Sequence, residues 1–200
     1  MNELMKDKIL YLAKESLKIE SNAIADILDY LDEDSFYKAV EVLSTCPKII
    51  TCASGSSGIA AKKFSHSLNC IERNAQFMSP ALAIHGGLGS VKKGDAVVMV
   101  SRGGKTAELF PIIDVCNKKE TILIGITENI NSPLAEKSQI VVPMKIKKES
   151  DPLNIMATSS FIVTIAIFDA MLAALIEMTE YKLEQFALIH PGGAVGNRLN

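Results

Sequence analysis

Apolar positions divide the chain into two regimes. Through the first 45 residues Leu4, Ile9, Leu12, Leu17, Ile19, Ile24, Ile27, Leu28 and Leu31 recur at near-helical spacing among charges, which predicts amphipathic helices. Ser21 and Asp34 are the expected breaks or caps. After Pro47 the period changes. Short β-type runs fall at 48–52, 75–78, 95–101, 121–126 and 139–144. Helical stretches are expected at 59–68, 107–118 and 132–137, and two more, at 153–178 and 183–188, close the chain.

Near-continuous apolar strands alternating with helices predict an α/β fold, a three-layer αβα sandwich around a five-stranded parallel sheet. No repeat, low-complexity tract or linker divides the sequence, so residues 1–200 read as a single domain with residues 1–45 as helices packed on it. In such folds ligands bind beyond the carboxyl ends of the strands, at the turns that lead into helices.

Composition narrows the function classes. Of 200 residues 48% are hydrophobic and 22% charged, which is a globular balance and not a disordered one. A net charge of −2 argues against a general binder of nucleic acid or membrane surfaces. It leaves room for a small anion, because a few local donors suffice for one phosphate. Cys46, Cys52, Cys70 and Cys116 form no C-x-x-C pair, so no zinc cage or dithiol centre is expected, and free thiols fit a reducing cytoplasm. Residues 1–20 carry charges throughout and contain no apolar signal core. Residues 153–178 are long enough to span a bilayer, but Asp169, Thr158, Ser159, Ser160 and Thr164 lie within them. A buried core helix is expected there.

The candidate chemistry sits at two strand ends. Ser54-Gly-Ser-Ser-Gly58 follows the first run, Ser101-Arg-Gly-Gly-Lys-Thr106 follows the third, and each precedes a helix. Glycine lets backbone approach a ligand, and the N–H groups and dipole of the following helix favour an anion. Hydroxyls of Ser54, Ser57, Ser101 and Thr106 would complete a phosphate cradle. Neither turn is a P-loop or a dinucleotide fingerprint. Thr158, Ser159 and Ser160 form a third hydroxyl cluster. His85 and His190 lie in glycine-flanked loops, where an imidazole can approach a ligand, whereas His66 reads as structural. Glu108, in the first turn after the second cradle, and Glu149, before the long helix, are the candidate proton-transfer carboxylates.

These motifs resemble the SIS-domain sugar isomerases, and within them the arabinose 5-phosphate isomerases of the KpsF/GutQ type. The resemblance runs over nearly the whole chain. Residues 186–199 are close to the family's F-A-x-x-H-P-x-G-x-L-G-x-x-L ending, and His85-Gly86 to its H-G-D-L-G. Ala157-Thr-Ser-Ser160 resembles P-T-S-S, and residues 101–109 resemble its S-x-S-G-x-T/A-x-E-L phosphate loop. The resemblance implies catalysis by Glu108, Glu149 and His190. It implies substrate binding by Ser54, Ser56, Ser57, His85, Ser101, Gly103, Thr106, Thr158 and Ser159. It also implies aldose–ketose isomerisation through a cis-enediol without metal or organic cofactor, and a tetramer in which His85 or His190 serves a neighbour's pocket.

Several positions depart from the family pattern. The family's catalytic lysine falls on Ser56, a histidine that binds zinc in relatives falls on Ser79, and the aspartate of H-G-D falls on Gly87. A substrate-contacting Gly-Thr is replaced by Glu72-Arg73, and the CBS pair that usually follows is not expected here. A phosphosugar-sensing SIS module is the alternative, as is an isomerase of another pentose or hexose phosphate.

Overall fold

The computed structural model describes residues 3–192 and Gly196. Helices α1 (Glu3–Ala25), α2 (Ile27–Tyr30) and α3 (Glu33–Thr45) come first. Ser21 does not break α1; its hydroxyl donates back to the Lys18 carbonyl at 3.0 Å, so the polar group is satisfied inside the helix. Nor does Asp34 cap α3. Asp32 does, accepting from the Ser35 N–H at 2.7 Å, while Asp34 sits in the first turn, where the dipole favours its charge.

The alternating part follows as β1 (Ile49–Cys52), α4 (Gly55–Asn69), β2 (Ala75–Phe77), α5 (Pro80–Ala83), β3 (Ala96–Val100), α6 (Phe110–Lys118), β4 (Ile122–Thr127), α7 (Pro133–Lys137) and β5 (Ile140–Pro143). Helices α8 (Ser159–Met178) and α9 (Leu183–Ile189) complete it. All five strands fall where the apolar runs place them. Three helix starts differ from expectation: α6 begins at Phe110, because Ala107–Leu109, which carries Glu108, forms a separate 3-10 turn. Helix α4 begins at Gly55, so the glycine–serine run is itself its first turn. Helix α8 begins only at Ser159, because the Asp151 carboxylate accepts from the N–H groups of Leu153, Ile155 and Met156 and holds that segment as a loop.

The sheet is wholly parallel in the order β2-β1-β3-β4-β5. Strand β1 pairs with β2 through Ile49↔Ala75 and with β3 through Ile49↔Ala96. On one face Val98, Val100, Ile124, Ile126 and Val142 pack with Leu43, Phe64 and Phe168 from α3, α4 and α8. The Phe64 and Phe168 rings stack with centroids 4.1 Å apart. On the other face Val97, Met99 and Leu123 pack with Ile112 and Ile113 of α6 and Leu134 of α7. Each fully buried side chain of this size contributes roughly 1.5–3 kcal/mol. Helix α8 is long and apolar enough to cross a membrane by length and composition, yet Val163, Ile167, Phe168, Met171 and Leu175 are buried in the protein core.

From β1 the chain turns first to one side and then to the other. The strand order therefore reverses between the carboxyl ends of β1 and β3, which is where the crevice of an open parallel sheet forms.

Candidate functional site

The turn after β1 forms one wall of that crevice. At Gly58 a Cβ would lie 2.7 Å from the Ala53 carbonyl oxygen, so only glycine lets α4 start this close to the strand end. Ser54 occupies the N-cap position with extended backbone, but its side chain does not cap the helix. Its hydroxyl donates to Oε2 of Glu108 instead. The first turn of α4 therefore keeps its N–H groups without a side-chain acceptor, next to the hydroxyls of exposed Ser56 and half-buried Ser57. A positive helix end with uncapped donors suits an anion.

The turn after β3 forms the second wall. Ser101 is buried, and its hydroxyl lies 2.8 Å from that of Thr106. The Gly104 N–H closes the turn on the Ser101 carbonyl at 2.9 Å. Gly104 has φ +64°, and a Cβ there would meet the Ser132 hydroxyl at 1.9 Å, so the turn requires glycine. Gly103 and Lys105 are exposed at its tip. Glu108, two residues past Thr106, reaches the Ser54 hydroxyl and so ties the two turns together.

Glu108 also joins two cavities. One, of about 340 Å³, is lined by Ser54, Gly58, Lys62, Phe77, Ser79 and Glu108 among others. The second, of about 360 Å³, is lined by Pro80, Ala81, Ile84, His85, Glu108 and Pro111. Pro80, Ala81 and Glu108 line both. Ser54, Glu108 and His85 thus share one crevice.

Glu149 is placed differently. It is 4% exposed, and its Oε2 accepts from the Thr158 N–H at 2.9 Å, the Ser160 N–H at 3.0 Å and the Thr158 hydroxyl at 3.2 Å. Oε1 accepts from Nη1 of Arg102 at 2.9 Å, and Arg102 Nε reaches Glu128 at 2.8 Å. Burial pushes the Glu149 carboxyl upward, but the donors of Ser160 and Thr158 outweigh it and hold it below the usual carboxylate range. Thr158 also accepts from the Ser150 N–H at 2.7 Å. Ser159 is fully buried and its hydroxyl has no partner among the described residues.

His190 sits at the end of α9. Its Nδ1 donates to the Phe186 carbonyl at 3.1 Å and its ring stacks on Phe186 at 3.7 Å, so Nδ1 carries the proton and Nε2 is the second ring nitrogen. Helix α9 is anchored at the far end of α4: Tyr181 donates to the Cys70 carbonyl at 3.1 Å and Gln185 to Glu72 at 2.7 Å. The 15 residues of α4 make that end about 22 Å from Ser54. Among the described residues of one chain, His190 makes no hydrogen bond to Ser54, Glu108 or Glu149. Residues 193–195 and 197–199 of the motif around it lie outside the described residues. Glu72 and Arg73 also stand at the sheet's amino edge, where Arg73 donates to the Leu43 and Cys46 carbonyls.

Two residues went unnoticed in the sequence. Arg102 lies inside the quoted phosphate loop, but only the fold brings Glu149 to it. Lys62 stands four residues after Gly58, and that helical spacing could have placed it on the same face.

Residues 42–174 match the SIS domain family. The arabinose 5-phosphate isomerase KdsD of Pseudomonas aeruginosa is 33% identical over 200 residues, 100% of this chain and 61% of the relative. This chain spans 56–61% of the length of such curated relatives. A candidate sugar-phosphate isomerase from Listeria monocytogenes superposes with a TM-score of 0.91 at 41% identity, covering 96% of this chain and 100% of that one. An Escherichia coli protein solved in complex with arabinose 5-phosphate gives 0.88 at 29%, with the same coverage.

Proposed function

The chain belongs to the SIS-domain family, and on that premise we propose that it is a sugar-phosphate aldose–ketose isomerase, acting on D-arabinose 5-phosphate and D-ribulose 5-phosphate. The observation that carries this reading is the contact of Glu108 with Ser54 at the point where the strand order reverses. It puts a carboxylate base between two turns that each offer donors to a phosphate. The relatives named above supply the substrate class.

The phosphate is held by the first turn of α4, with Ser56 and Ser57, and by the Ser101–Thr106 turn. That grip, remote from the reacting carbons, orients them. Glu108 moves a proton between C1 and C2 through a cis-enediol. The reaction is redox-balanced within the sugar and calls for no organic cofactor. His85 faces the same crevice and contacts the sugar. Glu149 acts chiefly by holding Arg102 and the start of α8, since its charge is already committed to four donors. Thr158 and Ser159 then shape the wall behind the sugar.

His190 serves the crevice of a neighbouring copy in a homotetramer. The stripe of α1 that faces the core at Ala23 and Ile19 continues through Leu12, Ile9 and Met5, where exposure rises to 38%, 51% and 51%. A second copy would cover it. Free cysteines, three of the four buried, suit a cytoplasmic protein.

The test is incubation with D-arabinose 5-phosphate in heavy water, followed by NMR. Deuterium at C1 or C2 supports the isomerase. The serine at position 56 favours one second reading, a phosphosugar sensor, for which thermal stabilisation without exchange is the expected result.

A further inference from the structure

The cavity of about 340 Å³ between the start of α4, Phe77 and Ser79 contains a charge that the reading above leaves unused. Lys62 lines it and is the one cationic side chain that does so among the described residues. Its neighbours on the helix, Gly58 and Ile59, line the same cavity, and residues three and four apart share a helix face. Glu108 lines it as well.

What distinguishes Lys62 is its place in this cavity together with an unspent ammonium group. Lys63, next in sequence, is paired with Asp169 of α8. Lys62 has no hydrogen bond or ion pair among the described residues. The first turn of α4 offers hydroxyls and N–H groups but no cation of its own. One cavity therefore holds a carboxylate already hydrogen-bonded to a serine and an ammonium group on a flexible stem with all three donors unspent.

Deepening the isomerase reading, on which this inference rests, we propose that Lys62 contacts the substrate in the cavity it shares with Glu108 and stabilises the oxyanion that develops on the carbonyl during proton transfer. When Glu108 takes the proton from C2, the C–H electron pair becomes the C1–C2 double bond and the carbonyl π pair moves to O1, where the ammonium group of Lys62 meets it. Transfer of the C2 hydroxyl proton to O1 moves the negative charge to O2. As the C2 carbonyl re-forms, the double-bond electron pair takes the proton back from Glu108 at C1, which gives the ketose with every proton accounted for. No external oxidant or reductant takes part. Interactions of this kind are formed only as charge develops, so they raise kcat and leave ground-state binding little changed.

The experiment compares wild type, Lys62→Met, Lys62→Arg and Lys105→Met in the isomerisation of D-arabinose 5-phosphate. It also measures binding of a phosphosugar hydroxamate, a mimic of the enediolate. Lys62 is exposed on its helix, so the variants fold, and a melting temperature within a few degrees checks this. For Lys62→Met we expect kcat to fall roughly 100-fold, the low end of the range for one oxyanion donor, with KM within about threefold. Hydroxamate affinity should fall by a similar factor, and Lys62→Arg should recover most of both. Lys105→Met, at the tip of the phosphate turn, should raise KM and spare kcat. Unchanged kcat in Lys62→Met, or a change confined to KM, overturns the assignment while leaving the isomerase standing. Wild type without turnover on any pentose or hexose phosphate overturns both.

Discussion

Two helices begin at the carboxyl edge of the sheet with hydroxyl residues in their first turn, and the fold uses them in opposite ways. At α4 the N-cap serine turns away from its helix to reach Glu108. At α8 the corresponding donors are taken by the Glu149 carboxylate. The first arrangement leaves the N–H groups of the helix start without a side-chain acceptor beside a cavity that Ser54 and Gly55 line. The second neutralises them and buries the result. A hydroxyl cluster at a helix start is thus a ligand site only where nothing else in the chain fills it.

The sharpest way to break this contrast is at Glu108. Glu108→Gln should lower exchange at C1 or C2 at least about 100-fold, the low end for a general base, with the melting temperature nearly unchanged because Glu108 is exposed. Loss of both together would mean that Glu108 is a structural tie.

Glu149 should show the converse. Glu149→Ala leaves buried N–H groups and one side of Arg102 unpaired, at a cost of about 3 kcal/mol. That corresponds to a fall in melting temperature of about 6–12 °C, measured by calorimetry. The pH dependence follows from the lowered folded-state pKa. The stability Glu149 supplies is fully present above its unfolded value of about 4.3 and is lost as pH falls through the lower folded value. The gap between wild type and Glu149→Gln should therefore be constant near neutrality and narrow in acid. A gap that widens in acid would contradict the geometry.

Subunit exchange sharpens the comparison further. If His190 acts across an interface, inactive Glu108→Gln and His190→Ala chains should recover activity when unfolded and refolded together. A hybrid site can then draw an intact Glu108 from one chain and an intact His190 from the other. Recovery no greater than the sum of the parents would put both groups in one chain. The smallest effect belongs to Ser54→Ala. It removes one hydrogen bond to Glu108, worth about 1 kcal/mol, so turnover should fall about fivefold. A larger loss would show that the serine also holds the substrate.

Much of the scaffold could be read from residue pattern. The apolar runs placed all five strands because a parallel strand buried on both faces leaves little choice of residue. Helix starts were less legible. Residues 153–156 look helical by hydropathy, but a single side chain, Asp151, captures their N–H groups. Ser21 and Asp34 look like boundaries because serine and aspartate often are. Whether they act so depends on which N–H group or carbonyl is unpaired beside them.

The sequence alone determined the order of strands and helices, the two glycine–serine turns and the titratable groups near them. These are local matters of period, turn chemistry and spacing along one helix. It could not decide which groups meet. Ser54 and Glu108 are 54 positions apart and Arg102 and Glu149 are 47 apart, and only the packing of distant elements around the sheet brings each pair together. Tertiary structure likewise decided that His190 stands at the far end of α4 and that Lys62 has no partner among the described residues. Contact between distant segments depends on how elements pack, and hydropathy along the chain carries no record of that.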